Sequence, residues 1–261
     1  IYFSPSMYTK SKYVYLKERR DIGMYIDQEA CVGCGLCVPY CPVGAISVSG
    51  RKAVIDADAC VECSCCRRSR VCRKDAICQE ELKMPRAVRS VMSDVFTIFE
   101  DTGVSGRGTE EMKTNEVTGR FKPGWVGMAL EAGRPIAAAT FRQVQEIAVA
   151  LAGTGLVEFE TCNPITQMMK DNRTGYFRED ILDERVYSAI LEFSVPVERL
   201  AEVLALCKEI AAKTSTVFSL DVSSVTLGGQ DQAVREIMEG AGFSVRPNGK
   251  ASPGLRGEPE G

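Results

Sequence analysis

Ten of the twelve cysteines of this 261-residue chain lie between Cys31 and Cys78, and their spacing limits what the chain can fold into. The first part of this stretch reads C-V-G-C-G-L-C-V-P-Y-C-P, in which Cys31, Cys34, Cys37 and Cys41 are followed by Pro42. In such a C-x2-C-x2-C-x3-C-P run, three closely spaced thiolates wrap one corner of a cubane iron–sulfur cluster, and the fourth cysteine points toward a partner cluster. The spacing therefore predicts iron–sulfur ligation.

A second cysteine run begins 29 residues after the first, and its flanks match those of the first. Residues 27–31 align with 56–60, and residues 41–46 align with 72–77. Matched flanks on both sides, at offsets of 29 and 31 residues, indicate an internal duplication. The second set of cysteines is then Cys60, Cys63, Cys66 and Cys72.

The second run departs from the first in three ways. Five residues instead of three separate Cys66 from Cys72, Arg73 stands where a proline is expected, and Cys65 and Cys78 are surplus. We expect these two surplus cysteines to be non-ligand residues near a cluster.

The two runs resemble the bacterial two-cluster ferredoxins over residues 22–80. The resemblance implies two [4Fe-4S] clusters with crossed ligands, one on Cys31, Cys34, Cys37 and Cys72 and the other on Cys60, Cys63, Cys66 and Cys41. An alternative ligand set for the second cluster, which also occurs in ferredoxins of this type, would be Cys60, Cys63 and Cys72, with eight residues between the last two. Ala76 would then occupy the position of the fourth cysteine. A three-iron second cluster and ligation by Cys65 in place of Cys66 remain open.

Two other roles for a cysteine-rich segment, a zinc site and a disulfide scaffold, fit this sequence less well. Zinc sites with four thiolates usually consist of two separated C-x2-C pairs. Disulfide scaffolds are small secreted chains, whereas this chain is long and shows no signal-peptide pattern.

Composition narrows the function classes further. A net charge of -3 argues against nonspecific nucleic-acid binding, and no apolar run reaches the length of a membrane span. The chain has no histidine, which excludes Rieske ligation, histidine-ligated haem and histidine-dependent catalysis within it. The absence of a membrane span or signal-peptide pattern, together with many free thiols, predicts a cytoplasmic protein. Exposed clusters would further indicate an anaerobic or low-oxygen host.

The sequence divides into five segments. They are an N-terminal arm at 1–26, a two-cluster ferredoxin domain at 27–82, a connecting helix and loop at 83–124, an α+β domain at 125–246 and a disordered Gly/Pro tail at 247–261. The arm mixes tyrosines with lysines and arginines, which suits docking onto a partner protein better than nucleic-acid binding. Within the ferredoxin domain, Ser49-Gly50-Arg51 predicts a hairpin turn, and residues 64–74 form a basic patch that could attract an acidic partner.

The connecting segment begins with a predicted helix from Pro85 to about Gly103, which carries an apolar stripe. The loop at 102–124 matches no nucleotide-binding motif. Its polar residues are nevertheless candidates for ligand binding: Glu110, Glu111, Lys113, Asn115 and Arg120.

The α+β domain is predicted as two halves, at about 125–176 and 186–246. Each half reads strand, helix, strand, which favours tandem ferredoxin-like (split β-α-β) halves packed as a pair. Thr140 and Gln143 form a capping box, residues 156–160 and 243–246 are predicted strands, and residues 161–176 form a second loop. Cys207 lies on an apolar helical stripe and is expected to be a buried hydrophobe, and Cys162 is expected to be an inert loop thiol.

These features favour an electron-transfer protein, the ferredoxin-like subunit of a multisubunit oxidoreductase. Because no flavin, dinucleotide or molybdenum motif is visible, we assign no catalytic residue and expect a catalytic site on another chain of a hetero-oligomer. Two alternatives remain open. The chain could be a free-standing reductase that binds substrate with the loops 102–124 and 161–176, or a sensor of redox state or ligand.

Overall fold

The computed structural model describes residues 23–99, 104–105, 122–133, 138–161 and 163–245. Most of the predicted N-terminal arm, most of the loop 102–124 and the tail 247–261 lie outside these residues, as do Cys162 and the five polar loop residues. In the part of the chain that is described, no helix is long and apolar enough to cross a membrane.

The cysteine-rich segment contains two small antiparallel strand pairs. Strand β1 (Met24–Ile26) pairs with β4 (Ile77–Gln79), and β2 (Ile46–Ser49) pairs with β3 (Lys52–Ile55). The predicted hairpin is confirmed, because Gly50 and Arg51 take φ values of 57° and 68° between β2 and β3. Two consecutive positive φ angles match the twist that a two-residue hairpin requires.

The internal duplication is visible in the backbone hydrogen bonds. The Cys31 amide donates to the Asp27 carbonyl at 2.9 Å, and the aligned Cys60 amide donates to the Asp56 carbonyl at 3.0 Å. The two copies also exchange strands, since β1 precedes the first run but pairs with β4, which follows the second. Each copy therefore completes the other, and one apolar core contains residues from both.

Helix α1 (Cys65–Arg68) is a short turn within the second run, and helix α2 (Ala87–Ser93) follows the cysteine-rich segment. The prediction that α2 extends to about Gly103 is wrong. The chain turns extended at Asp94, whose carboxylate accepts the Phe96 amide at 3.0 Å and so satisfies a backbone donor outside the helix. The short strands β5 (Ile98–Phe99) and β6 (Val104–Ser105) then pair with each other.

One four-stranded antiparallel sheet organises the rest of the chain. Its strands are β7 (Trp125–Ala132), β9 (Glu158–Phe159), β13 (Ala189–Pro196) and β14 (Phe218–Ser223), in the spatial order β14-β7-β13-β9. The long helices are α3 (Phe141–Ala152), α5 (Leu200–Lys213) and α6 (Gln230–Gly240).

The two predicted halves therefore interleave. The described residues place both β-α-β units in a single sheet, with β7 of the first predicted half paired to β13 of the second. This is one split β-α-β layer, so the expected tandem pair is corrected to one α+β unit. The reason is hydrophobic: the inward faces of β7 and β13 join α3 and α5 in one buried core.

Local predictions in this unit are met in part. The capping box is confirmed, because the Thr140 hydroxyl accepts the Gln143 amide and the Gln143 side chain accepts the Thr140 amide. The predicted strand 156–160 is reduced to the two residues of β9, and residues 243–245 form no strand. The remaining small elements are β8 (Ala139–Thr140), α4 (Pro164–Gln167), β10 (Met169–Asp171), β11 (Tyr176–Phe177) and β12 (Arg185–Val186).

The loop predicted at 161–176 is thus partly regular. Asn163 caps α4 by accepting the Ile165 amide at 2.7 Å, and β10 pairs with β11. Asn163 also donates to the buried Glu192 carboxylate at 2.6 Å, which attaches this segment to the central strand β13.

Candidate metal centre

The first crossed set of cysteines surrounds one cavity. Cys31, Cys34, Cys37 and Cys72 all line a space of about 270 Å³, together with apolar residues of β1 and β3. Cys72 reaches this cavity from the second run, as the resemblance to two-cluster ferredoxins implies. Four thiols around a space of this size fit a multi-atom cluster in donor chemistry and in room.

The second crossed set also shares a cavity, but a much smaller one. Cys41, Cys60, Cys63 and Cys66 line a space of about 20 Å³, close to the room that a single water requires. A cluster would enter there only if these thiols moved apart. Cys66 lines this cavity, whereas Cys65 is exposed at the start of α1 and Cys78 lies on β4.

No group of three or more His, Cys, Asp or Glu side chains in the described residues is arranged to hold a metal ion. The eight cysteines instead stand around the two cavities in two sets of four.

Matching backbone turns shape the two cysteine loops. Gly33 and Gly35 have φ values of 68° and 74°, and the aligned Glu62 and Ser64 take 55° and 56°. A Cβ on Gly33 would lie 2.1 Å from the Arg51 carbonyl oxygen, so only glycine fits there. The second loop takes the same path with residues for which a positive φ is costly.

Backbone amides point at the cysteine sulfur atoms. The Ala45 amide donates to Cys41 Sγ at 3.1 Å, and the aligned Ala76 amide donates to Cys72 Sγ at 3.3 Å. Cys31 Sγ accepts two amides, each at 3.4 Å. Such bonds favour the anionic form of sulfur, which is the form that ligates iron.

Without metal, burial opposes this anionic form. Burial raises the pKa of the Cys66 thiol to about 11 and that of Cys60 to about 12, and the nearby Glu62 carboxylate adds to the rise at Cys60. Burial also raises the pKa of Cys37. A hydrogen bond with Cys65 raises the pKa of Cys63 and lowers that of Cys65 to about 6. Metal binding at these sites must therefore release protons.

Glu62 is a buried carboxylate beside the second set of cysteines, and no pattern in the sequence indicated its role. It is fully buried and pairs with Arg86 at 2.7 Å, while Gln79 donates to its other oxygen at 3.2 Å. The Met24 amide also donates to it, at 3.3 Å. These bonds compensate the burial of the charge and connect the second loop to β1, β4 and α2.

A second arginine, Arg89 of α2, binds the chain that leads into the second run. Arg89 donates to the carbonyl oxygens of Ala57, Asp58 and Cys60 at 2.9, 3.2 and 2.7 Å. Its guanidinium also pairs with Glu184 of the α+β unit. The only sequence signal for this role was the three-residue spacing of Arg86 and Arg89 on a helix, which places both on one face.

The first run has an equivalent cation. Lys52 of β3 donates to the Gln28 carbonyl at 2.7 Å and to the Cys31 carbonyl. Gln28 and Cys31 align with Ala57 and Cys60, so a cation binds the same backbone positions in both copies. Lys52 belongs to the cysteine-rich segment itself, whereas Arg89 connects that segment to the α+β unit.

Comparison with known proteins finds relatives for the first cysteine run. Residues 24–47 match the 4Fe-4S binding domain family. The 4Fe-4S ferredoxin FdxA of Gottschalkia acidurici is 56% identical over 34 residues, which are 13% of this chain and 61% of that protein. The ferredoxin-like protein in the vnf region of Azotobacter chroococcum is 49% identical over 39 residues, 15% of this chain and 60% of that protein.

A ferredoxin of Acetoanaerobium sticklandii is 48% identical over 33 residues, 13% of this chain and 59% of that protein. The chain spans about three-fifths of the length of these curated relatives. No solved structure matches the chain. The chain therefore contains a ferredoxin-type 4Fe-4S binding domain at residues 24–47.

Proposed function

We propose that the chain is the electron-transfer subunit of a multisubunit oxidoreductase and relays electrons through two [4Fe-4S] clusters to a catalytic site on another chain. The observation that supports this most directly is the division of eight cysteines between two cavities, each lined by three cysteines of one run and one of the other. Crossed ligation places two clusters side by side in one small core, which is the arrangement of a short electron path.

When bound, the clusters supply one-electron chemistry, and the polypeptide holds and tunes them. The cysteine loops supply the thiolates, the amides of Ala45 and Ala76 stabilise the charge on sulfur, and the apolar core limits water. Cys31 and Cys37 are buried and Cys34 is exposed, so the first site is both protected and accessible from one side.

The test is an anaerobic purification of the native protein with its partners, followed by counts of iron, sulfide and co-purifying chains. About eight irons per chain, as two four-iron clusters require, with a stoichiometric flavin-, molybdenum- or tungsten-containing partner would support the proposal. About four irons would refute the second cluster. Eight irons in a chain that remains alone would refute the subunit role.

A sensor is the second candidate, because Arg89 connects the second cysteine loop to Glu184 in the α+β unit. A redox change at the second site would then alter the position of α2. Hydrogen exchange of α2 in oxidised and reduced protein separates the two functions, since a simple relay predicts equal protection in both states.

A further inference from the structure

The two cavities differ in charge at positions that the duplication makes equivalent. Arg73 and Lys74 follow Cys72 and line the first cavity, whereas the aligned Pro42 and Val43 follow Cys41 and line the second. The basic patch that the sequence places in the second run therefore lies, in part, against the first set of cysteines. One site has two cations in its wall, and its counterpart has two apolar residues.

The first site also reaches the surface through one of its cysteines. Cys34 is the only exposed cysteine among the eight that line the cavities. On either side of it, Val32 is 61% exposed and Leu36 is 48% exposed. Arg73 and Lys74 are exposed as well, and neither makes an ion pair with the described part of the chain.

These residues have the composition of a protein interface. The exposed apolar side chains of Val32 and Leu36 line the same cavity as Arg73 and Lys74, two cations that pair with no described residue. Positive charge beside an electron-transfer site attracts acidic partners and increases the rate of encounter. Lysine and arginine that make no internal ion pair are free to pair across such an interface.

We propose that the surface formed by Val32, Cys34, Leu36, Arg73 and Lys74 docks an acidic electron-transfer protein, which exchanges electrons with the first site. The inference rests on the proposed electron-transfer function and adds to it the site of exchange and the charge of the partner. One electron passes at a time, so that the donor is oxidised by one electron and the acceptor reduced by one.

The experiment uses flavodoxin, an acidic electron-transfer flavoprotein, as the probe. The full chain, reconstituted with iron and sulfide and then reduced under anaerobic conditions, is mixed with oxidised flavodoxin in a stopped-flow instrument. The flavin gains one electron from the chain and one proton from water, and the semiquinone absorbance gives the second-order rate constant. Cytochrome c, a basic acceptor, serves as the contrasting probe.

We expect the rate with flavodoxin to fall as salt increases and to drop about tenfold at low salt in the Arg73→Glu/Lys74→Glu variant. The matched control is Arg173→Glu, at an exposed arginine in the turn between β10 and β11, which should change the rate by less than about twofold. The Arg73→Gln/Lys74→Gln variant removes the two charges without reversing them, and its rate constant with flavodoxin should fall by an intermediate amount. It provides a test if charge reversal impairs cluster assembly. With cytochrome c, the Arg73→Glu/Lys74→Glu variant should react as fast as the unchanged chain or faster.

Equal losses in the patch variants and in Arg173→Glu, or a rate with flavodoxin that rises with salt, would overturn the docking surface. In either case electrons still pass, so the proposed function stands. If the reduced chain passes no electron to either acceptor, the electron-transfer function itself fails.

Discussion

Arg89 and Glu184 lie 95 residues apart in the sequence and form a buried ion pair between helix α2 and the α+β unit. The Arg89 side chain is 7% exposed and that of Glu184 is 14% exposed. The same guanidinium holds three carbonyl oxygens at the entrance of the second cysteine run. One side chain thus joins the ferredoxin-type domain to the rest of the chain.

Replacing Arg89 should destabilise the protein strongly. Arg89→Gln leaves Glu184 and three carbonyls without their cation, and removing one partner of a buried ion pair costs about 3 to 5 kcal/mol. Urea unfolding of the reconstituted protein gives the change in the free energy of unfolding. The control is Arg142→Gln, whose pair with Asp183 is exposed and should cost less than about 1 kcal/mol. Equal changes in the two variants would show that the Arg89 contact is not maintained in solution.

Single cysteine replacements should separate ligands from bystanders. Cys66→Ala removes a thiol that lines the second cavity, and we expect about four of eight irons to be lost with it. Cys65→Ala and Cys78→Ala remove thiols that line neither cavity, and these variants should retain the iron content of the unchanged chain. Iron and sulfide analysis with electron paramagnetic resonance measures the outcome. Loss of a cluster in Cys65→Ala but not in Cys66→Ala would reverse the assignment.

Two glycines offer a matched test of the loop geometry. Gly33 and Gly44 have nearly equal φ values of 68° and 66°, but a Cβ on Gly33 would meet the Arg51 carbonyl at 2.1 Å, whereas a Cβ on Gly44 meets nothing within 4 Å. Gly44→Ala should therefore cost only the left-handed backbone penalty of about 1 to 2 kcal/mol. Gly33→Ala must also displace the β2–β3 turn and should lower occupancy of the first site. Equal unfolding midpoints and equal iron contents would contradict this expectation.

The features that the sequence predicted best are those that depend on the spacing of nearby residues. Local sequence patterns define the two cysteine runs, the hairpin at Gly50 and the capping box at Thr140. The structure contains the hairpin and the capping box where these patterns predict them. Cys207 also lies where the periodicity predicts, with 2% of its surface exposed.

Long-range pairing explains what the sequence did not reveal. The bond of Glu62 to Arg86 and the pair of Arg89 with Glu184 join residues with no shared local pattern. The interleaving of β7 and β13 likewise depends on which apolar faces meet, and strand-helix-strand order alone fits one sheet or two. The end of α2 at Asp94 was missed because apolar residues continue at helical spacing to Phe99, although Phe96 among them is 75% exposed.

The buried thiol of Cys207 predicts a dependence of stability on alkaline pH. Burial raises its pKa from 9.0 to about 12 in the folded protein. The unfolded chain then loses this proton at lower pH than the folded chain, so the stabilising contribution is complete below about pH 9 and is lost as pH rises toward 12. Unfolding free energies of the unchanged chain and of Cys207→Ala should therefore converge as pH rises between these values. A constant difference would show that the thiol does not ionise on unfolding.

The charge difference between the two cavities predicts a difference in reduction potential. A nearby cation favours the reduced, more negative state of a cluster, and therefore raises its potential. Lys74→Val replaces the exposed cation at the first cavity by the residue found at the equivalent position of the second. An exposed charge contributes about 0.2 to 1 kcal/mol, so we expect the reduction potential of the first site to decrease by about 10 to 40 mV for a one-electron reduction. The reciprocal Val43→Lys places a cation at the second cavity and should raise the potential of that site by a similar amount. Redox titration followed by electron paramagnetic resonance resolves the two sites. Shifts of one sign in both variants would mean that these equivalent positions do not set the difference.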